Sequence, residues 1–158
     1  MLFSVAGETV ERARALIKLG YMYFLQGELI RAIETTKAGL RDLPGQERHL
    51  YLCGRYNLAR FLTESGEYRE AAEILGEDEE LRREFPEPWT QLRLVWLRGK
   101  IAAGRGDEEA AEQSFLAARP ASSDSGTRTT RPWSRWKIWP SCICARGAPR
   151  RSSSSRKR

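Results

Sequence analysis

Three glycines, Gly27, Gly66 and Gly106, stand 39 and 40 residues apart, and each is followed by the same kind of string. The strings are Gly27-Glu28-Leu29-Ile30-Arg31-Ala32, Gly66-Glu67-Tyr68-Arg69-Glu70-Ala71 and Gly106-Asp107-Glu108-Glu109-Ala110-Ala111. Each places an alanine five residues past the glycine, where two helices can approach closely. Apolar residues recur at helical spacing on both sides of the turn, as in Leu16, Leu19, Tyr23 and Phe24 before Gly27 and Leu29, Ala32, Ile33 and Leu40 after it. Glycine lets the chain reverse at a helix end without the Cβ penalty of a left-handed conformation. The acids just past it, Glu28, Glu67 and Asp107 to Glu109, lie where the dipole of the next helix favours negative charge. Pro44, Pro86 and Pro88 fall between hairpins, where helices stop or start. The pattern predicts helices over 9–25, 29–41, 47–64, 67–84, 88–103 and 107–119, with no alternation of strand type.

Charge divides the chain. Residues 1–119 hold 17 Lys/Arg and 20 Asp/Glu, whereas residues 120–158 hold 10 Lys/Arg and a single acid, Asp124. The net charge of +6 therefore comes wholly from the last quarter. That quarter is rich in Ser, Thr, Arg, Pro and Gly, carries Trp133, Trp136 and Trp139, and loses the helical spacing. The expected organisation is a helical repeat domain over 1–119 followed by a basic, low-complexity and disordered tail over 120–158. No apolar run approaches the roughly 20 residues of a membrane span, and the N-terminus has no basic lead of a signal peptide. Three cysteines give no disulfide framework. A cytoplasmic protein without a membrane partner is the expectation.

Against this periodicity the residues Leu16, Leu19-Gly20, Tyr23, Ala32 and Pro44 resemble the signature of the tetratricopeptide repeat family. Leu58-Ala59, Leu62, Ala71 and Leu75 take the corresponding places in the second hairpin; Val95, Gly99, Ala111, Phe115 and Ala118 take them in the third. Thr36, Gly39 and Arg98 depart from the pattern. The resemblance covers about residues 10–119. It implies an all-α, right-handed α-solenoid of about three antiparallel helix hairpins. It also implies an interaction scaffold, with no catalysis, whose first helices line a concave groove for a peptide or partner helix. The matching slots hold Arg14, Ile17, Tyr21 and Phe24, then Tyr56, Asn57, Arg60 and Glu64, then Arg93, Trp96 and Lys100. Aromatics mixed with cations suit an acidic or aromatic-bearing segment. The family's carboxylate clamp needs Lys and Asn where Ile17 and Tyr21 stand, and only Asn57 fits it.

Other chemistry is thin. No phosphate loop, nucleophile elbow or metalloprotease helix is present. Cys142-Ile143-Cys144 has no second pair, and the one histidine, His49, is remote from it, so no metal or cofactor is expected. Cys53 reads as a small helix residue, since His49 four positions earlier has no evident acid to orient it. Glu77, Asp78, Glu79, Glu80 and Glu84 read as a solvated face. Two alternatives remain beside the scaffold. One is a regulatory or sensor segment of a larger bacterial signalling or transcription protein; the other is nucleic-acid binding through the tail, by phosphate neutralisation and stacking. Without an evident polar capping helix, self-association through the last repeat is a further expectation.

The tail has a second reading. Taking the third base of each codon with the first two of the next, Trp136-Lys137 must encode Glu and Trp139-Pro140 must encode Ala. Lys137-Ile138 allows only Asn or Asp, and Ile138-Trp139 only Leu or Met. With permitted codon choices, 126–147 then reads as a first helix of a fourth hairpin, with its turn glycine. A frame change near Arg119 accounts at once for the lost periodicity and the jump in basic charge.

Overall fold

A computed structural model of the chain describes residues 2–41, 43, 47–76 and 79–118. Every regular element among them is helical: α1 (Leu2–Leu25), α2 (Leu29–Arg41), α3 (Arg48–Ser65), α4 (Tyr68–Leu75), α5 (Glu79–Glu84), α6 (Pro88–Gly104) and α7 (Glu108–Ala117). The expectations for 120–158, including the tail's disorder and its cysteines, lie outside these residues.

The turns explain the periodicity. Gly27, Gly66 and Gly106 adopt φ of 82°, 88° and 81°, a left-handed backbone that only glycine takes at little cost. Each closes a helix in the same way. The Gly27 N–H donates to the Phe24 carbonyl and the Glu28 N–H to that of Tyr23; Gly66 and Glu67 repeat this onto Thr63 and Leu62, and Gly106 and Asp107 onto Ala103 and Ala102. This paired arrangement satisfies two carbonyls that the helix end would leave orphaned. Two residues later the next helix begins. Its first carbonyl, from Glu28, Glu67 or Asp107, accepts from the N–H of Ala32, Ala71 or Ala111.

Those three alanines are buried, as close helix approach requires. Across from them stand small residues seven positions before each turn: Gly20, Ala59 and Gly99, all buried. A methyl on Gly20 would come within 2.1 Å of Thr36 Oγ1 and 3.0 Å of the Ala32 carbonyl; one on Gly99 would meet the Phe115 ring at 2.7 Å. So α1 folds onto α2, α3 onto α4 and α6 onto α7 along seams that only small residues permit.

Neighbouring hairpins then share a core. Leu52, Leu58 and Leu62 of α3 pack with Ala71 and Leu75 of α4, Leu81 of α5, and Leu94, Leu97 and Ile101 of α6. Phe61 reaches the other way, into Tyr21 and Ala32. Burying a Leu or Phe side chain contributes about 1.5–3 kcal/mol each. Pro88 opens α6, and Glu87 before it is extended, as a residue preceding proline prefers.

Two expected helices are corrected: the first begins at Leu2 rather than at residue 9, and another is divided. The span 67–84 is two elements, α4 and α5, interrupted at Gly76. Gly76 sits at φ 56°, ψ −149°, a region closed to side-chain-bearing residues, and the Leu75 carbonyl accepts from Arg55 Nη2 at 2.6 Å. The length beyond a compact hairpin is thus a separate short helix, α5, anchored by buried Leu81 and by buried Phe85 just past its end. No described helix is long and apolar enough to cross a membrane.

Candidate functional site

The first helices of the hairpins, α1, α3 and α6, present their side chains in a common register. Six residues before the turn glycine stand Tyr21, Arg60 and Lys100; ten before stand Ile17, Tyr56 and Trp96. The structure sorts the eleven expected groove residues into two groups.

Four of them, Ile17, Tyr21, Tyr56 and Asn57, are buried. Ile17 fills the space beside Gly39 and Gly54, whose missing Cβ atoms it would otherwise crowd at 3.1 and 3.0 Å. Tyr21 packs on Phe61. Tyr56 lies in the main core, and burial pushes its phenol above the ordinary range, with Arg60 and Arg93 pulling the other way and Tyr21 adding to the rise. Asn57 is fully enclosed, and its amide meets no hydrogen-bond partner. These residues form the floor of the face rather than its contact surface.

The rest remain accessible, and most are tied across helices. Phe24 of α1 stacks on Phe61 of α3 with centroids 4.6 Å apart, and the Arg60 guanidinium lies 4.7 Å from the Phe24 ring centre. Lys100 of α6 pairs with Glu64 of α3 at 2.5 Å while its ammonium sits 4.9 Å from the Trp96 ring centre. Such cation–aromatic contacts are each worth about 0.5–1 kcal/mol at exposed sites. Arg93 is half-buried near Tyr56. Among the described residues no carboxylate lies within ion-pairing distance of Arg60 or Arg93. Arg14 stands apart, on its own helix with Glu11 at 3.8 Å.

Phe61 was not among the expected face residues, yet it holds Phe24 in place. Its position one residue past Arg60 puts it off the expected stripe, and its trace in the sequence is the apolar pairs Leu58-Ala59 and Phe61-Leu62 on either side of that arginine. An open cavity of about 600 Å³, lined by none of the expected groove residues, is flanked by Lys37, Arg41, Tyr51 and Arg55. The signal there is two i, i+4 pairs, Lys37 with Arg41 and Tyr51 with Arg55. Lys37 is engaged by Glu70 and Arg55 by Glu80 and the Leu75 carbonyl.

The other chemistry-bearing side chains are occupied in packing and pairing. Cys53 is fully buried. An acid does stand beside His49, contrary to expectation: Glu84 Oε1 lies 2.9 Å from Nδ1, and the ring tilts against Phe85 at 4.9 Å. Chain folding brings Glu84 from 35 residues away, so no local spacing reveals it. Glu79 pairs with Arg83, and Glu80 with Arg48 and Arg55. Glu77 and Asp78 lie outside the described residues. No group of three His, Cys, Asp or Glu side chains able to hold a metal occurs among the described residues.

Comparisons with protein-family models, with curated proteins and with solved structures return no match.

Proposed function

We propose that the chain is a protein–protein interaction module: three tetratricopeptide-like hairpins stacked in a right-handed solenoid, whose first-helix face receives an acidic segment bearing an aromatic side chain. The observation that carries this reading is the arrangement of Arg60 and Arg93 on α3 and α6. The Arg60 guanidinium lies over the Phe24 ring, Arg93 is half-buried and close enough to Tyr56 to act on its phenol, and neither has a carboxylate partner among the described residues. A half-buried cation without a counterion is a place where an incoming carboxylate gains charge-assisted hydrogen bonds. Phe24 and Trp96, each half-buried beside a cation, offer apolar area next to it. Buried aromatics and arginines of this kind carry most of the energy in peptide recognition.

The test uses a fluorescein-labelled peptide rich in Asp and Glu with one Phe, alongside a charge-neutral analogue. Fluorescence anisotropy should show the acidic peptide binding more tightly, and raised salt should weaken it. Arg60→Glu with Lys100→Glu should reduce affinity at least tenfold, and Phe24→Ala severalfold. Equal binding of both peptides, or an unchanged affinity in the charge-reversed variant, rules the reading out.

A further inference from the structure

The hairpins place the same kind of side chain at fixed distances before each turn glycine, and that register extends past Gly106. Seven residues before the turn come the small, buried Gly20, Ala59 and Gly99, set against the second helix. Eight before come Leu19, Leu58 and Arg98; five before come Met22, Phe61 and Ile101. Phe61 and Ile101 from this last position insert into the preceding hairpin, Phe61 against Tyr21 and Ala32 and Ile101 in the cluster with Ala71.

In the displaced reading, the codon spanning Arg146 and Gly147 can encode glycine, forty positions past Gly106. Counting back seven gives the codon across Trp139 and Pro140, which can be only GCC, alanine. The small residue that a seam requires thus appears with no freedom of choice. Eight back, Ile138-Trp139 allows only Leu or Met; five back, Ser141-Cys142 allows only Leu, Met or Val. Four back, where Tyr23 and Leu62 stand, Cys142-Ile143 allows only Tyr or His. The printed frame offers none of this.

The end of the described chain leaves apolar side chains exposed. The seat that Tyr21, Phe24 and Ala32 make for Phe61 corresponds to Lys100, Ala103 and Ala111 in the third hairpin. Ala103 there is exposed, and Leu116 of α7 is 56% exposed. We infer that the segment after Arg119 is a displaced-frame reading of the first helix of a fourth hairpin, and that this helix is the cover of the α6–α7 end. The inference rests on the stacked-hairpin reading above.

Two measurements decide it. Reading the bases across codons 119–147 should show the displaced frame open, with glycine encoded across Arg146 and Gly147; a stop codon in that frame overturns the inference and leaves the stack untouched. Hydrogen exchange should then compare the full chain with the same chain carrying the restored frame. Amides of Glu108–Ala117 should gain at least tenfold protection, with a higher thermal midpoint. An open frame whose restored segment is helical by circular dichroism, but which leaves those amides as they were, overturns the cover and counts against the stack itself. Should the restored chain aggregate, the restored helix added as a synthetic peptide to the full chain gives the same exchange readout.

Discussion

The middle hairpin and the last one are built from the same turn and the same seam, yet they hold their residues very differently. Eleven residues of α3 are buried, because α1, α2, α4, α5 and α6 all pack on it; in α7 only Ala111 is buried, and α6 is its main support. Local sequence makes a hairpin, but neighbours on both sides make it stable. A helix of ten residues with one packed face is marginal by propensity alone.

The sharpest way to break this contrast is to cut one apolar side chain from each. Phe61→Ala should cost about 3–5 kcal/mol, as expected for a large core ring, whereas Leu116→Ala should cost less than about 0.5 kcal/mol, as for a surface site. Equal shifts in urea unfolding would falsify the idea that the number of helices packed around a residue's own helix sets the cost. Next in size is the seam. Gly20→Ala should destabilise by about 1–3 kcal/mol through overpacking, because the new methyl faces a carbonyl as well as Thr36. Gly99→Ala should cost less, since the nearest atoms it meets all belong to the half-exposed Phe115 ring, which can move. Adding Thr36→Ala to Gly20→Ala should recover part of the loss, and strict additivity in the double-mutant cycle would count against the contact.

Tyr56 ties the middle hairpin to alkaline pH. Its folded-state pKa is raised, so the fold prefers the neutral phenol. Stability from this group is complete below the unfolded value near 10 and declines as pH climbs from there toward the folded value. The slope should approach 1.4 kcal/mol per pH unit at most, and Tyr56→Phe should flatten it; identical slopes in the two proteins would remove the assignment. The smallest effect separates the helix starts. Asp107 caps α7 by accepting from the Ala110 N–H at 3.1 Å, whereas Glu67 makes no side-chain cap to α4. Asp107→Ala should therefore cost about 1 kcal/mol, and Glu67→Ala should leave the thermal midpoint nearly unchanged.

Much of the architecture was legible because one residue per hairpin controls it. A glycine, an acid after it and an alanine five past the glycine located all three turns, whose glycines adopt positive φ, and all six expected helices began or ended within two residues of expectation at the turn side. The break at Gly76 was not legible. Glu, Leu and Arg around it are good helix formers, and the bond that claims the Leu75 carbonyl comes from Arg55, twenty residues earlier. The face was half legible. Periodicity finds the residues on one side of a helix but not how wide its covered stripe is. Because α3 is nearly surrounded, Tyr56 and Asn57 were drawn inside while Arg60, one turn on, kept its head out. The apolar character of Ile17, Tyr21 and Tyr56 was the available hint that they belong to the floor.

The many-sided packing of α3 also bears on how the chain finds its structure in time. The most extensive pairings, α1 with α2, α2 with α3, α3 with α4 and α6 with α7, join helices that are consecutive in sequence, so little chain must be closed before most contacts form, and topologies of this sort fold in microseconds to milliseconds. As the element that meets the most others, α3 is where a nucleus would condense. Phe61→Ala should then slow refolding in stopped-flow chevrons, while Leu116→Ala should act on the unfolding limb.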